Sequence, residues 1–175
     1  MTAFDQYQLL RLSEPVLPAI LAVSSSGSGV SLTQLPGILS AVAKSSDSGS
    51  EELFSFCIKW CEVSDGGAEW SPVNDDVGFA DLLRLTVVVI YENLNEYLKL
   101  PKYKPTGLSP KGVEFTPVHL PDRSDWFWRP VEDRMCKYES LVDGTLKLVD
   151  VARMNDIISV REENAARAHA AANSK

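Results

Sequence analysis

The sequence predicts a mainly α protein, with a helical N-terminal module, a proline-rich linker and a C-terminal helical hairpin. Three observations carry that expectation. Apolar residues recur at helical spacing on both sides of residue 100. Five prolines, at 101, 105, 110, 117 and 121, separate the two sets. The charge changes at the same place: residues 1–100 hold 5 Lys/Arg against 13 Asp/Glu, net −8, whereas residues 101–175 hold 12 against 11, net +1.

Taken in order, Pro15 and Pro18 bracket the start of PVLPAILAV, a candidate short core helix that SSSGSG ends as a loop. Ser31 with Gln34 forms a capping box ahead of Leu35, Ile38, Leu39 and Val42, with Pro36 in the first turn. KSSDSGS stops that helix, and Ser50 followed by Glu51 and Glu52 caps the next, which should run to about Cys61. Its Leu53, Phe54, Phe56, Cys57, Ile58, Trp60 and Cys61 are dense enough to predict contacts on more than one side.

Asp65-Gly66-Gly67, between Val63 and Trp70, is a turn signal that can close a small hairpin. A long helix follows, capped by Asn74 or Asp75, with Phe79, Leu82, Leu83, Val89, Ile90, Leu94 and Tyr97 at helical intervals. The β-branched run from Thr86 to Ile90 has low intrinsic helix propensity, so tertiary packing must hold it. The boundaries expected are a module over 1–100, a linker over 101–124, either extended or poorly ordered, and a hairpin with an alanine-rich tail over 125–175.

In the hairpin, Asp125 is a cap for a helix starting near Pro130, a residue tolerated in a first helical position. Val131, Met135 and Tyr138 align along it, Gly144 breaks it, and Thr145 restarts the chain toward Leu146, Leu148, Val151, Met154, Ile157 and Ile158. About 45 residues make a marginal core. Trp126, Phe127 and Trp128 are then either anchors for a partner or the cover of the hairpin's own core. The final REENAARAHAAANSK suits a solvated helix that frays at its end.

Composition excludes several classes. With 45% apolar and 23% charged residues, the chain is of ordinary globular composition, which argues against wholesale disorder. Val87 to Ile90 is an apolar run far short of the roughly 20 residues of a membrane span, and no run in the chain approaches that length. The first residues show no secretory pattern, so an intracellular, membrane-free protein is expected. Acidic balance disfavours nucleic acid as a partner.

Three cysteines, 57, 61 and 136, point to free thiols, and only two histidines, 119 and 169, are present to complete a metal site, so core packing is favoured for Cys57 and Cys61. Cys136 has no histidine nearby in sequence, and the chain lacks phosphate-loop, dinucleotide, HExxH and CxxC motifs. A binding protein without catalytic residue, metal or cofactor is expected.

Two segments resemble the tail assembly chaperones of long-tailed bacteriophages. DVGFADLLRLTVVVIYENLNEYLKL is similar to the last helix of the chaperone's main domain, through Asp76, Phe79 and Asn93 or Asn95. WFWRPVEDRMCKYESLVDGTLKLVDVARMNDIISVREEN is similar to a phage tail-cluster segment, through Arg129-Pro130, Met135-Cys136, Tyr138, Asp143-Gly144-Thr145, Asp150, Ala152 and Met154-Asn155. The resemblance implies a helical module that coats the tape measure protein and an extension that recruits tail tube subunits, in the host cytoplasm. It implies no catalytic residue, and leaves room for a homo-oligomer. An acidic exterior around an apolar groove suits a chaperone of apolar helices. The partner contacts expected are Trp126, Trp128, Arg129 and Tyr138 of the extension, with Phe79 and Tyr97 of the module. A small structural protein of the tail or connector is the alternative.

Overall fold

The computed structural model describes residues 1–18, 47–63, 71–72, 78–104, 118–122 and 124–173. Helices dominate them: α1 (Ala3–Ser13), α2 (Asp47–Ile58), α3 (Phe79–Lys99), α4 (Asp125–Glu132), α5 (Tyr138–Val142) and α6 (Leu148–Asn173). Two short strands, β1 (Glu62–Val63) and β2 (Ser71–Pro72), pair antiparallel with Glu62 opposite Pro72 and Val63 opposite Ser71. That ladder brackets the Asp-Gly-Gly signal, whose turn lies outside the described residues. The helix expected from Ser31, the loop before it and the caps Asn74 and Asp75 lie outside them too.

The chain falls into two units. The first comprises Met1 and Asp5–Asn95. In it α1, for which no sequence signal was noted, buries Gln6, Leu9 and Ser13. The Ser13 hydroxyl bonds back to the Leu10 carbonyl at 3.2 Å, which makes a buried polar residue acceptable there. The second helix starts at Asp47, so Ser50 lies inside it and is not its cap. It ends at Ile58 because Trp60 and Cys61 take up tighter i−3 bonds to Cys57 and Ile58.

Among the described side chains of α2, Leu53, Phe54 and Cys57 are buried and Phe56 and Ile58 half-buried, while Trp60, just beyond it, stays 39% exposed. Helix α3 begins at Phe79, where the Gly78 carbonyl accepts the first bonds from Asp81 and Leu82. Leu83, Val87, Ile90 and Leu94 follow its core side at alternating four- and three-residue steps. Four members of the β-branched run are buried with them, and only Val88 faces out, so packing offsets the low propensity as expected.

Cys57 belongs to this core, fully buried and beside the Thr86 side chain. Burial, reinforced by Cys61, pushes the Cys57 thiol up to about 12, so at neutral pH it is an apolar, protonated group. The Thr86 hydroxyl donates to the Leu82 carbonyl at 2.9 Å.

The second unit comprises Thr2–Phe4 and Glu96–Lys175. Phe127 is its central ring, 0% exposed, with Phe4 edge-on at 6.0 Å and Trp128 edge-on at 5.1 Å. Leu141, Leu148, Val151 and Ile158 are buried as well. Side chains of that size each contribute about 1.5–3 kcal/mol on burial.

Candidate partner-binding surfaces

Helix α4 starts five residues earlier than Pro130 suggests. Ser124 precedes it, and its carbonyl accepts from Phe127 at 2.8 Å and Trp128 at 3.3 Å. The Ser124 hydroxyl donates to Asp122 at 2.7 Å and accepts the Trp128 indole N–H at 2.9 Å. Asp125 anchors the approach by accepting the Leu120 N–H at 2.9 Å, and that bond above all holds its carboxyl below the usual range. His119 Nδ1 lies 3.4 Å from the same carboxylate.

Pro130 therefore sits inside the helix, where it has no N–H for the carbonyl of Trp126. The side chain of Asn155 on α6 supplies the missing donor: Nδ2 lies 2.9 Å from that carbonyl and 2.9 Å from the Val151 carbonyl. Three further ties bind α4 and the residue after it to α6. Arg129 reaches Ser159 at 3.0 Å and pairs with Glu162, while Arg161 pairs with Asp133 and holds that carboxyl low.

The helix expected to continue through Tyr138 instead ends at Glu132. Arg134 adopts φ +60°, its N–H meets the Val131 carbonyl at 3.0 Å, and the Met135 N–H meets the Pro130 carbonyl at 2.9 Å. This is a Schellman stop with arginine at the position glycine usually fills. After α5, Asp143 accepts the Thr145 N–H at 2.8 Å and Gly144 takes φ +86°, which turns the chain. The last helix starts at Leu148, later than Thr145, because the Asp150 carboxylate accepts the Lys147 N–H at 2.8 Å.

The residues expected to touch a partner are distributed as follows. Trp128 stacks on Tyr138 at 5.7 Å with 18° between the rings, and Tyr138 is 52% exposed. Met135 and Val142, nearby in sequence, are exposed too. Trp126 is half-buried and edge-on to Tyr97 at 6.2 Å, and Lys102 lies over the other's ring, 4.7 Å from the Tyr97 centroid. Arg129 is held by α6 as described. Phe79, in the first unit, is 56% exposed and edge-on to Phe54 at 6.0 Å.

The aromatic triplet thus divides: Phe127 covers its own core, while Trp126 and Trp128 stay half-buried. Tyr103 donates a hydrogen bond to Glu163, which fixes the chain after α3 on α6 and raises the phenol's pKa.

The first unit offers a surface that sequence reasoning missed. Gln8, Arg11 and Leu12 of α1 and Glu52, Ser55 and Phe56 of α2 line an open groove of about 600 Å³. Leu12 and Phe56, both half-buried, are its apolar lining among four polar side chains. No motif marks it, because four of its six lining residues are polar and the two sets that line it lie 40 or more residues apart in sequence.

A mainly helical chain that presents a groove between two helices and a stacked aromatic pair shared by two others has the character of a protein-binding module. Residues 1–104 match the family model described as phage tail assembly chaperone protein, TAC. The chain belongs to that family. Residues 136–175 match a second model, a family of unknown function (DUF6889). No curated protein and no solved structure matches the chain significantly. Among the described residues no helix is long and apolar enough to cross a membrane.

Proposed function

We propose that this chaperone acts in the host cytoplasm in two parts, divided at the proline-rich linker over 101–124. The module over 1–100 binds the tape measure protein, and the extension over 125–175 recruits tail tube subunits. The action is binding, with no catalytic residue or cofactor. The observation that carries the reading is the family match over residues 1–104, continued by a different family over residues 136–175. The α1–α2 groove supports a place for an apolar helix on the module, where Phe79 adds an exposed ring. On the extension, the Trp128–Tyr138 stack supports an aromatic docking point, flanked in sequence by Trp126 and Arg129, with Tyr97 behind Trp126.

The test is co-expression of the tagged full chain with the neighbouring tail genes. Tape measure protein and tube subunits should both copurify. Trp128→Ala with Tyr138→Ala should lose the tube subunits and keep the tape measure protein, while Phe56→Asp should do the reverse. Copurification of neither protein with the unaltered chain overturns the reading.

A further inference from the structure

We propose that Asn155 is a positioning residue for the aromatic face of α4: it replaces the helical hydrogen bond that Pro130 cannot make, and so ties Trp126 and Trp128 to α6. The inference rests on the reading of that face as a docking surface, though its geometry stands without it. In an uninterrupted helix the carbonyl of Trp126 would accept from the N–H four residues on, which is the place proline occupies. Asn155 Nδ2 lies 2.9 Å from that carbonyl, across from a helix 29 residues away in sequence.

Its second bond, 2.9 Å to the Val151 carbonyl, stays within α6 and fixes the rotamer. The side chain is 97% buried, since only 3% of Asn155 is exposed. Its Oδ1 makes no hydrogen bond, so its whole polar contribution is donation through Nδ2. Both neighbours of Nδ2 are carbonyls, which fixes the orientation of the amide. Aspartate and leucine share the approximate shape and cannot donate.

The consequence is that α4 is not self-sufficient. With alanine at 130, the carbonyl of Trp126 would be satisfied inside α4, whatever α6 did. With proline there, the donor comes from Asn155 across on α6. Arg129 to Ser159 and Arg161 to Asp133 add further ties to α6, both on the C-terminal side of this point. Trp126 and Trp128 flank the α4 core ring Phe127, so their placement follows that of the helix.

The experiment is a double-mutant cycle in the full chain, with Asn155→Leu, Pro130→Ala and the pair, and with Asn155→Asp as a second conservative variant. Near-UV circular dichroism and tryptophan emission report the setting of the indoles. Copurified tube subunits report docking. Asn155→Leu and Asn155→Asp should change the near-UV tryptophan bands and lower tube capture by about tenfold, with capture of the tape measure protein unchanged.

Adding Pro130→Ala should restore the Asn155→Leu bands and return capture to within about threefold of the unaltered chain. A merely structural loss of Asn155 would not be repaired by a change in another helix. Unaltered bands in both Asn155 variants overturn the proposal, as does failure of Pro130→Ala to repair Asn155→Leu when Pro130→Ala alone is folded. If the unaltered chain captures no tube subunits, the two-part function fails while the tryptophan bands still decide the role of Asn155.

Discussion

The two long helices are held by different physics. The 21 residues of α3 bury Leu83, Thr86, Val87, Val89, Ile90 and Leu94, and the one polar member bonds within its own helix. The 26 residues of α6 bury Leu148, Val151, Ala152, Asn155 and Ile158 and nothing beyond. From Ser159 to Glu163, polar links to Arg129, Asp133 and Tyr103 take over. Dry packing fixes the first helix, and directional bonds fix the middle of the other. The contrast teaches that an apolar stripe gives a helix its face, while buried amides and ion pairs give it a register against a particular neighbour.

The largest expected break in this contrast is Ile90→Ala. Its side chain is fully buried, so the loss should be about 2–5 kcal/mol, measured as a shift in the urea midpoint at constant slope. The dryness around α3 can be probed next through Cys57, whose thiol is pushed from 9.0 up to about 12. A raised thiol pKa means that the unfolded chain ionises first. Stability should then fall as pH rises above about 9, by at most about 1.4 kcal/mol per pH unit. Melting temperatures between pH 8 and 10.5 should show a steeper decline in the unaltered chain than in Cys57→Ala.

Arg134→Gly sharpens the other side. It relieves a left-handed arginine at the end of α4 and should add about 1 kcal/mol to stability, seen as a higher urea midpoint. The smallest effect belongs to Ile157→Ala. Its side chain is 54% exposed on α6, so the same measurement should move by no more than about 0.5 kcal/mol. An isoleucine lost from each long helix would thus separate by severalfold in cost.

The parts legible in the sequence are those written in local chemistry. The mainly helical fold followed from spacing, the core of α3 from its apolar recurrence, and the β1–β2 ladder from Asp-Gly-Gly between Val63 and Trp70. The parts that escaped depend on partners far along the chain or on polar residues in buried places. Helix α1 buries Gln6 and Ser13 beside Leu9, so its inner face does not look apolar. Arg134 stops α4 where a glycine would have announced it.

Pro130 suggested a helix start because its local rule favours the first turn. Its actual tolerance comes from Asn155, 25 residues on, which no window around the proline contains. Of the candidate docking aromatics, the sequence supplied the types, and only the fold separated Phe127 in the core from the Trp128–Tyr138 stack.

One contact sets the order in which the second unit is completed during synthesis. Phe4 packs on Phe127, yet the ribosome makes those rings 123 residues apart. At about 5–20 residues per second the first ring waits roughly 6 to 25 seconds for the other to be made. Closing so long a loop also slows the search. The contact of Phe4 with Phe127 is thus among the last to form, and translation speed over the 123 residues between them sets how long it waits.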